Sequence, residues 1–387
     1  MPVRIAGASS TAFGRHTESS SRELFSDAAA AAVSDAGIIP RDVEAVYVGN
    51  FMGDVVEDQG HMGALLAEAA GAREAESVRI ESACASGGSA VRAAVNAVRA
   101  GSRDVVLVGG AEMMYTVSTP AITDALANAA DNEYENQAGL TFPGIYALMA
   151  RAYLREFDAT REDLAHVAVK NHANGVANPV AQFHRECTVE DVLDARPIAS
   201  PLGLFDCCPV SDGASAAVVV SESYASEAGL DAPISIVGSG QSSDSLALQD
   251  RASMTRTPAA ERAADEAYEE AGIGPEDVDV CEVHDCFTIA EVLAVEALGL
   301  YERGEGVRGA REGETALDGR VPVNPSGGLL AKGHPVGVTG VGQIVELAKQ
   351  LEGRHPNQVP DARVGLAHNV GGSGASASVH VLRGEGY

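Results

Sequence analysis

The chain has 387 residues, 45% hydrophobic but only 4% aromatic and without Trp, which is too long for one ordinary core and predicts two or more closely joined units. Its formal net charge of −28 argues against nucleic acid as a partner, because such a partner needs a basic face. No apolar run reaches membrane-spanning length, and MPVRIAGASS lacks the basic-then-apolar layout of a signal peptide, so a cytoplasmic protein with no membrane role is expected.

Lysine occurs only at Lys170, Lys332 and Lys349, every other basic residue being Arg. Many carboxylates with so few lysines fit a surface built for high salt, where self-repulsion is screened. The six cysteines (Cys84, Cys187, Cys207, Cys208, Cys281, Cys286) form no C-x-x-C pair. Free thiols and no metal site are expected.

In chain order, residues 3–8 read as a short buried strand and residues 22–36 as a helix with Gly37 as its C-cap. PRDVEAVYVGN gives a turn and a second strand. Residues 81–99, ESACASGGSAVRAAVNAVR, place Cys84 ahead of small residues that open a helix. A thiol there feels the positive end of the macrodipole, which favours thiolate. Nothing bulky in the sequence beside Cys84 seals the sulfur in, which argues against an inert buried cysteine. A strand, DVVLVGGAEMM, follows. Residues 118–205 are irregular and polar, with TRED at Thr160 as a helix start. They read as a loop domain covering the site.

The second half repeats the first. DAGIIPRDVEAVYV (35–48) returns as EAGIGPEDVDVCEV (270–283), each after an Ala/Glu-rich helix. Cys84 and its helix have a counterpart in His334 of NPSGGLLAKGHPVGVTG (324–340) and the apolar-periodic run behind it. The closing strands GASAAVVVS and GASASVHVL match as well. The chain is therefore a duplicated β-α-β-α-β unit. Ligands in open α/β sheets bind beyond the carboxyl ends of strands, and a pseudo-twofold would bring Cys84 and His334 together there.

One strand end differs between the copies. Gly49-Asn50-Phe51 in the first half becomes His284-Asp285-Cys286-Phe287 in the second, so reactive residues stand in one copy only. His368 and Asn369 close the next strand before Gly371 and Gly372, whose backbone N–H groups could line an anion pocket. His16, His61, His166, His172, His184 and His355 sit in polar or loop contexts and read as ordinary surface or structural residues.

The Cys84 segment, HDCF, the GHP run and the terminal HNVGGSGASA together resemble a thiolase, and the similarity covers essentially the whole chain. HDCF resembles the sterol-carrier-protein and archaeal type. The resemblance implies the α/β thiolase fold: duplicated halves in α-β-α-β-α layers with an inserted loop domain. The expected division is residues 1–117 plus 206–230, then 118–205, then 231–387. It implies reversible acyl transfer and Claisen chemistry on acyl-CoA thioesters, with coenzyme A as substrate and no cofactor. Cys84 would be the nucleophile, held as thiolate by His334. Oxyanions would be met by the Cys84 and Gly371 N–H groups and by His284 and His334. The cysteine found in the terminal motif of commoner thiolases is missing from His368-Asn369-Val370-Gly371, so Cys286 is the candidate for C2 proton transfer, assisted by His284. His368 and Asn369 would support the substrate side, and Ser239 and Gly240 would contact the pantetheine arm. Arg185, Arg251, Arg256 and Lys332 are candidates for the CoA phosphates. A homodimer or homotetramer is implied, with a small OB-fold protein and hydroxymethylglutaryl-CoA synthase as possible partners. The rival readings are a ketoacyl-synthase-type condensing enzyme and a non-catalytic scaffold subunit.

Overall fold

The repeat in the sequence is also a repeat in the backbone, for local reasons. Gly37 and Gly272 take φ of 70° and 66°, the left-handed turn that ends the preceding helix in each half. The proline of each copy then opens a 3-10 turn, Pro40–Asp42 and Pro275–Asp277. In each, the Asp carboxylate accepts the N–H three residues back, from Ile39 at 3.0 Å and from Gly274 at 2.9 Å. A parallel strand begins just after each turn.

This computed structural model describes residues 1–385. Its sheet has nine strands: β1 (Val3–Ser10), β2 (Ala45–Gly49), β3 (Glu76–Ile80), β4 (Val105–Glu112), β5 (Gly213–Ser221), β6 (Ile234–Ser243), β7 (Val280–Glu282), β8 (Val364–Gly371) and β9 (Ser376–Gly384). Their order is β3-β2-β4-β5-β1-β6-β9-β8-β7. The halves meet between β1 and β6 through only two residue pairs, Arg4–Ser235 and Ile5–Ile234.

The labelled helices are α1 (Ser21–Asp35), α2 (Ser86–Arg99), α3 (Phe142–Glu156), α4 (Arg161–Ala177), α5 (Pro258–Ala271) and α6 (Thr339–Leu351). Helices α2 and α6 form the middle layer, with Val91, Val95, Ile344 and Val345 in one core beneath both halves of the sheet. Helix α1 covers the outer face of the first half and α5 that of the second. The result is the expected α-β-α-β-α stack. Contact between α2 and α6 needs glycine: a Cβ on Gly340 would lie 2.1 Å from the Gly88 nitrogen. The first turns of these helices therefore touch, which brings the Cys84 and His334 segments together.

The expectation of an irregular segment over residues 118–205 is corrected. It holds Thr119–Ala127, α3, α4 and Val189–Asp194, all helical. Its apolar residues recur at helical spacing but are diluted by outward-facing Arg, Glu and Asn, which hides the pattern. Ile145, Tyr146, Met149, Leu164 and Val167 pack with Phe287, Leu329 and Leu330 of the second half. Thr160 does cap α4: its Oγ1 accepts from Asp163 N at 3.3 Å, and Asp163 accepts from Thr160 N at 2.7 Å.

Lys170 and Lys332 are buried and Lys349 is partly so. Lys170 pairs with Glu291 at 2.9 Å, while Lys349 and Lys332 reach Glu346 at 3.3 and 4.0 Å. Among the described residues no helix is long and apolar enough to cross a membrane.

Candidate active site

Beyond β3 the chain turns sharply at Ala83, whose φ of 49° lies in the left-handed region a Cβ disfavours. Ser86 holds the turn, donating from Oγ to Ala83 O at 2.5 Å and accepting from Ser82 N at 2.9 Å. Cys84 follows, one residue short of the N-cap of α2. The small sequence neighbours do not leave it open. Met52, Met114, Ile122 and Val336 close over it from other segments, leaving it 8% exposed. Burial pushes the thiol up to about 12, against a smaller downward pull from the Gly372 N–H. Desolvation outweighs the helix end, so Cys84 rests as a thiol and not as the expected thiolate.

A base is at hand. His334 Nδ1 lies 2.7 Å from Thr339 Oγ1, and that hydroxyl donates its own hydrogen to Pro335 O at 3.3 Å. Thr339 must therefore accept from Nδ1–H, which leaves Nε2 with a free lone pair. Burial holds this imidazole down at about 3, so it is neutral.

His284 carries the opposite tautomer. Asn369 Oδ1 accepts from Gly88 N at 3.1 Å, which fixes the amide so that Nδ2 faces Cys84 O at 3.0 Å and His284 Nδ1 at 3.1 Å. An amide nitrogen can only donate, so His284 accepts at Nδ1 and carries its hydrogen on Nε2. Burial holds His284 neutral, well below its ordinary value, and Nε2 has no partner in the protein. Cys84 Sγ and one nitrogen of each histidine lie within 4.8 Å of one another, with the two rings edge to face at 5.0 Å. Such a trio could suggest a metal site, but a ligating Nε2 must present a lone pair and that of His284 carries a hydrogen. The arrangement fits a thiol, a base and a hydrogen-bond donor.

Cys84, His334 and Gly372 share a cavity of about 190 Å³ with Cys286, Tyr146 and Cys208. Burial raises the Cys286 thiol well above its ordinary value, and Tyr146 beside it pulls the other way. The HDCF turn is anchored by Asp285, which accepts from Leu329 N at 2.6 Å and Asn171 Nδ2 at 2.7 Å. Burial, and then the neighbouring Glu291 carboxylate, raise that carboxyl above the usual carboxylate range. Gly328 passes so close that a Cβ would meet Asp285 Oδ2 at 2.2 Å. Across the Cys207–Val210 segment lies a larger cavity of about 590 Å³, walled by Phe183, Phe205, Leu204 and His172, with Arg185 beside them.

Comparison with known proteins gives this geometry a family. Residues 3–223 match the description "Thiolase, N-terminal domain" and residues 240–384 "Thiolase C-terminal domain-like". The chain belongs to the thiolase family of acyltransferases. It is 45% identical to an acetyl-CoA acetyltransferase of Methanothermobacter thermautotrophicus, over 98% of this chain and 99% of that one. It is 38% identical to the benzoylsuccinyl-CoA thiolase subunit BbsB of Thauera aromatica, over 96% and 94%. Among solved structures it resembles a chain of the Ltp2-ChsH2(DUF35) aldolase, with TM-score 0.86, 29% identity and coverage of 99% and 98%.

Within this thiolase several expected roles move. Gly372, not Gly371, borders the cavity that holds Cys84, with its N–H beside that residue. Gly371 instead permits close approach, since a Cβ there would lie 2.4 Å from Ser82 O. Asn369 is a clamp behind the site and does not border that cavity. His368 lies behind it too, its Nδ1 accepting from His284 N at 3.5 Å. Ser239 and Gly240 are not available to a pantetheine arm. Ser239 is fully buried on β6 against His380 at 3.0 Å, and a Cβ on Gly240 would strike Ala263 O of α5 at 1.9 Å. Of the phosphate candidates, Lys332 is buried near Glu346, Arg256 pairs with Glu261, and Arg251 is spent on the carbonyls of Ser245, Leu246 and Ser373. Arg185 borders the larger cavity with no ion pair among the described residues, while Arg256 borders another of about 560 Å³ from within its pair with Glu261.

Sequence reasoning missed Thr339, which sets the tautomer of His334, and Glu112. The latter accepts from Asn50 Nδ2, Met52 N and Gly337 N at 2.8, 2.8 and 2.7 Å, tying the first-half strand end to the GHP turn. Nothing in a VGGAEMM strand end marks that glutamate as a hub.

Proposed function

We propose that this thiolase catalyses reversible acyl transfer between acyl-CoA thioesters through an acyl-Cys84 intermediate, condensing two acetyl-CoA or cleaving a 3-oxoacyl-CoA. The observation that carries the reading is the trio of Cys84, His284 and His334 within 4.8 Å, the two histidines in opposite tautomers. The Cys84 proton passes to His334 Nε2 as the sulfur attacks the thioester carbonyl. The C–S bond to CoA then breaks, and the departing thiolate recovers that proton. Oxygen charge meets the Cys84 and Gly372 N–H groups in one step and the Nε2–H of His284 in the other, each donor worth about 3–4 kcal/mol. In condensation Cys286, as the thiolate, takes a C2 proton from the second acyl-CoA, whose carbanion attacks acyl-Cys84 and expels the Cys84 thiolate. In cleavage Cys84 attacks the 3-oxo carbonyl, the C2–C3 bond breaks, the Cys286 thiol protonates the departing carbanion, and free CoA thiolate then takes the acyl group from Cys84. Coenzyme A is the substrate, and the reaction calls for no cofactor. Arg185 is the remaining candidate for a CoA phosphate.

The decisive experiment supplies acetyl-CoA without acceptor and maps the adduct by intact-mass and peptide analysis. An acetyl group on Cys84 is expected; one on Cys286 with Cys84 free would overturn the assignment. Malonyl-thioester decarboxylation without CoA-dependent thiolysis would favour a ketoacyl synthase, and loss of both activities a scaffold. A series of 3-oxoacyl-CoA lengths assigns the chain preference.

In solution we expect a homodimer or homotetramer, read by light scattering in molar salt. A small OB-fold partner is supported by the solved neighbour being a complex with a DUF35 protein. Association with hydroxymethylglutaryl-CoA synthase, a cytoplasmic setting and a high-salt environment complete the reading. The burial of Lys170 and Lys332, with Lys349 paired to Glu346 and only partly exposed, supports the last, since little lysine is left to the surface.

A further inference from the structure

Behind the catalytic histidines lies a second, much smaller void of about 10 Å³, bordered by Tyr146, Met149, Thr257, His284, His368 and Val370 among others. That is close to the room one water molecule needs, about 10–15 Å³. A dry void of this size would ordinarily be apolar. Most of the surface here is apolar, yet polar side chains stand in its wall.

Two buried polar atoms on its wall residues have no hydrogen-bond partner in the protein: His368 Nε2 and Thr257 Oγ1. The residues are only 2% and 8% exposed, so bulk water cannot serve them. The chemistry of each is fixed by its surroundings. His368 accepts at Nδ1 from the His284 backbone N–H at 3.5 Å, so its hydrogen sits on Nε2. Burial holds its pKa near 4, which keeps the ring neutral at working pH. Thr257 occupies the N-cap position of α5, where a threonine hydroxyl ordinarily caps the helix. Here, at φ −125° and ψ 75°, its side chain makes no capping bond. The hydroxyl has been left for something else.

We propose that this void is a built site for one water molecule, which accepts from His368 Nε2–H and bonds Thr257 Oγ1. The ligand must be neutral, of one heavy atom, and able to accept as well as donate. An ammonium ion has no lone pair for His368, and nothing larger fits. The third unpartnered atom of a wall residue, His284 Nε2–H, is the donor assigned above to the substrate oxygen. The water joins helix α5 to the end of β8 and fixes the ring of His368, whose Nδ1 in turn steadies the backbone of His284. His368 and Thr257 thereby become positioning residues that never touch substrate.

A crystal structure of the whole chain with ordered solvent tests the site directly. One solvent peak within about 2.6–3.2 Å of both atoms is expected; an empty void, or a peak bonded to neither atom, overturns the proposal. This arm uses no substrate, so it stands or falls apart from the acyl-transfer reading. For the positioning role, Thr257→Ser should keep the water and the wild-type kcat. Thr257→Val, of nearly equal shape, should lose the water and lower kcat by about threefold to tenfold with KM for acetyl-CoA unchanged. A dry void in Thr257→Val with wild-type kcat would refute that role, and if this variant does not fold, the wild-type density still decides the site.

Discussion

Asn369 donates to His284 Nδ1 at 3.1 Å, and this one hydrogen bond decides which way the catalytic imidazole faces chemically. Gly88 N, bonded to the other end of the amide, prevents Asn369 from turning over. Asn369→Asp would put an acceptor where the donor was, opposite both Cys84 O and His284 Nδ1. The histidine would move its hydrogen to Nδ1 and present a lone pair to the substrate oxygen. Losing one oxyanion donor costs about 10²–10³ in kcat, so a fall of that order is expected in steady-state thiolysis, with the fold intact by circular dichroism. A variant within threefold of wild type would show that the tautomer of His284 is immaterial.

His380 gives the chain a readable acid response. Its Nε2–H donates to Gly88 O and its Nδ1 accepts from Ser239 Oγ, both at 3.0 Å. Burial first, then the positive charges of Arg92 and Arg99, pull it down to about 4. An unfolded histidine titrates near 6.5, so between about pH 6.5 and 4 the unfolded chain holds the extra proton. The contribution is complete above about 6.5 and is lost as pH falls towards 4. His334 and His368 have the same sign, so the wild-type acid limb should be steep. Urea melts of His380→Gln in fixed molar KCl should give a limb shallower by up to one proton, about 1.4 kcal/mol per pH unit. Equal slopes would mean that His380 does not change its protonation on folding.

The candidate residues that the fold brings together were legible because their pattern is written locally. Cys84 and His334 share a glycine-rich layout ahead of a helix, and HDCF breaks the repeat where fold alone would preserve it. The supporting residues were not, because their roles depend on contacts distant in the chain. Asn369 meets Gly88, Cys84 and His284, none within 80 positions of it. The resemblance puts Ser239 and Gly240 at the pantetheine arm, yet Gly238 and Gly240 serve the close packing of α5 on β6: a Cβ at either would lie within 2.1 Å of a carbonyl of that helix. A glycine that admits a ligand and one that admits a helix read alike. The charge on Cys84 was misjudged for the same reason, since its roof comes from Met52, Met114, Ile122 and Val336.

Salt should stabilise the chain. Net charge is −28, and the three lysines pair with Glu291 and Glu346, two of them buried and Lys349 partly so. The fully exposed basic positions carry Arg. The Debye length is about 30 Å at 0.01 M and about 3 Å at 1 M, so dilute buffer leaves carboxylate repulsion unscreened. Melting temperature and thiolysis rate should both rise with KCl. Full activity and an unchanged Tm in dilute buffer would remove the high-salt reading.

Proton transfer at C2 provides the sharpest division of labour. With no cysteine in the terminal HNVG segment, Cys286, His284 and His368 are the groups to weigh. Cys286 borders the catalytic cavity beside Cys84, whereas His368 faces a separate void behind it. His284 offers Nε2–H, a donor and not a base. Burial keeps Cys286 protonated, with the Tyr146 hydroxyl as the neighbour that favours its thiolate. It therefore holds the proton that a carbanion accepts in cleavage, and takes one in condensation only as that thiolate. Cys286→Ala should still form acetyl-Cys84, because that step uses only Cys84 and His334. It should lose exchange of the C2 protons of acetyl-CoA with deuterated solvent, followed by proton NMR. His368→Ala should keep most of that exchange, since the ring acts only through the backbone of His284. Normal exchange in Cys286→Ala together with its loss in His368→Ala would transfer the role to the histidine, and with it the reading of HDCF as the acid–base element of the site.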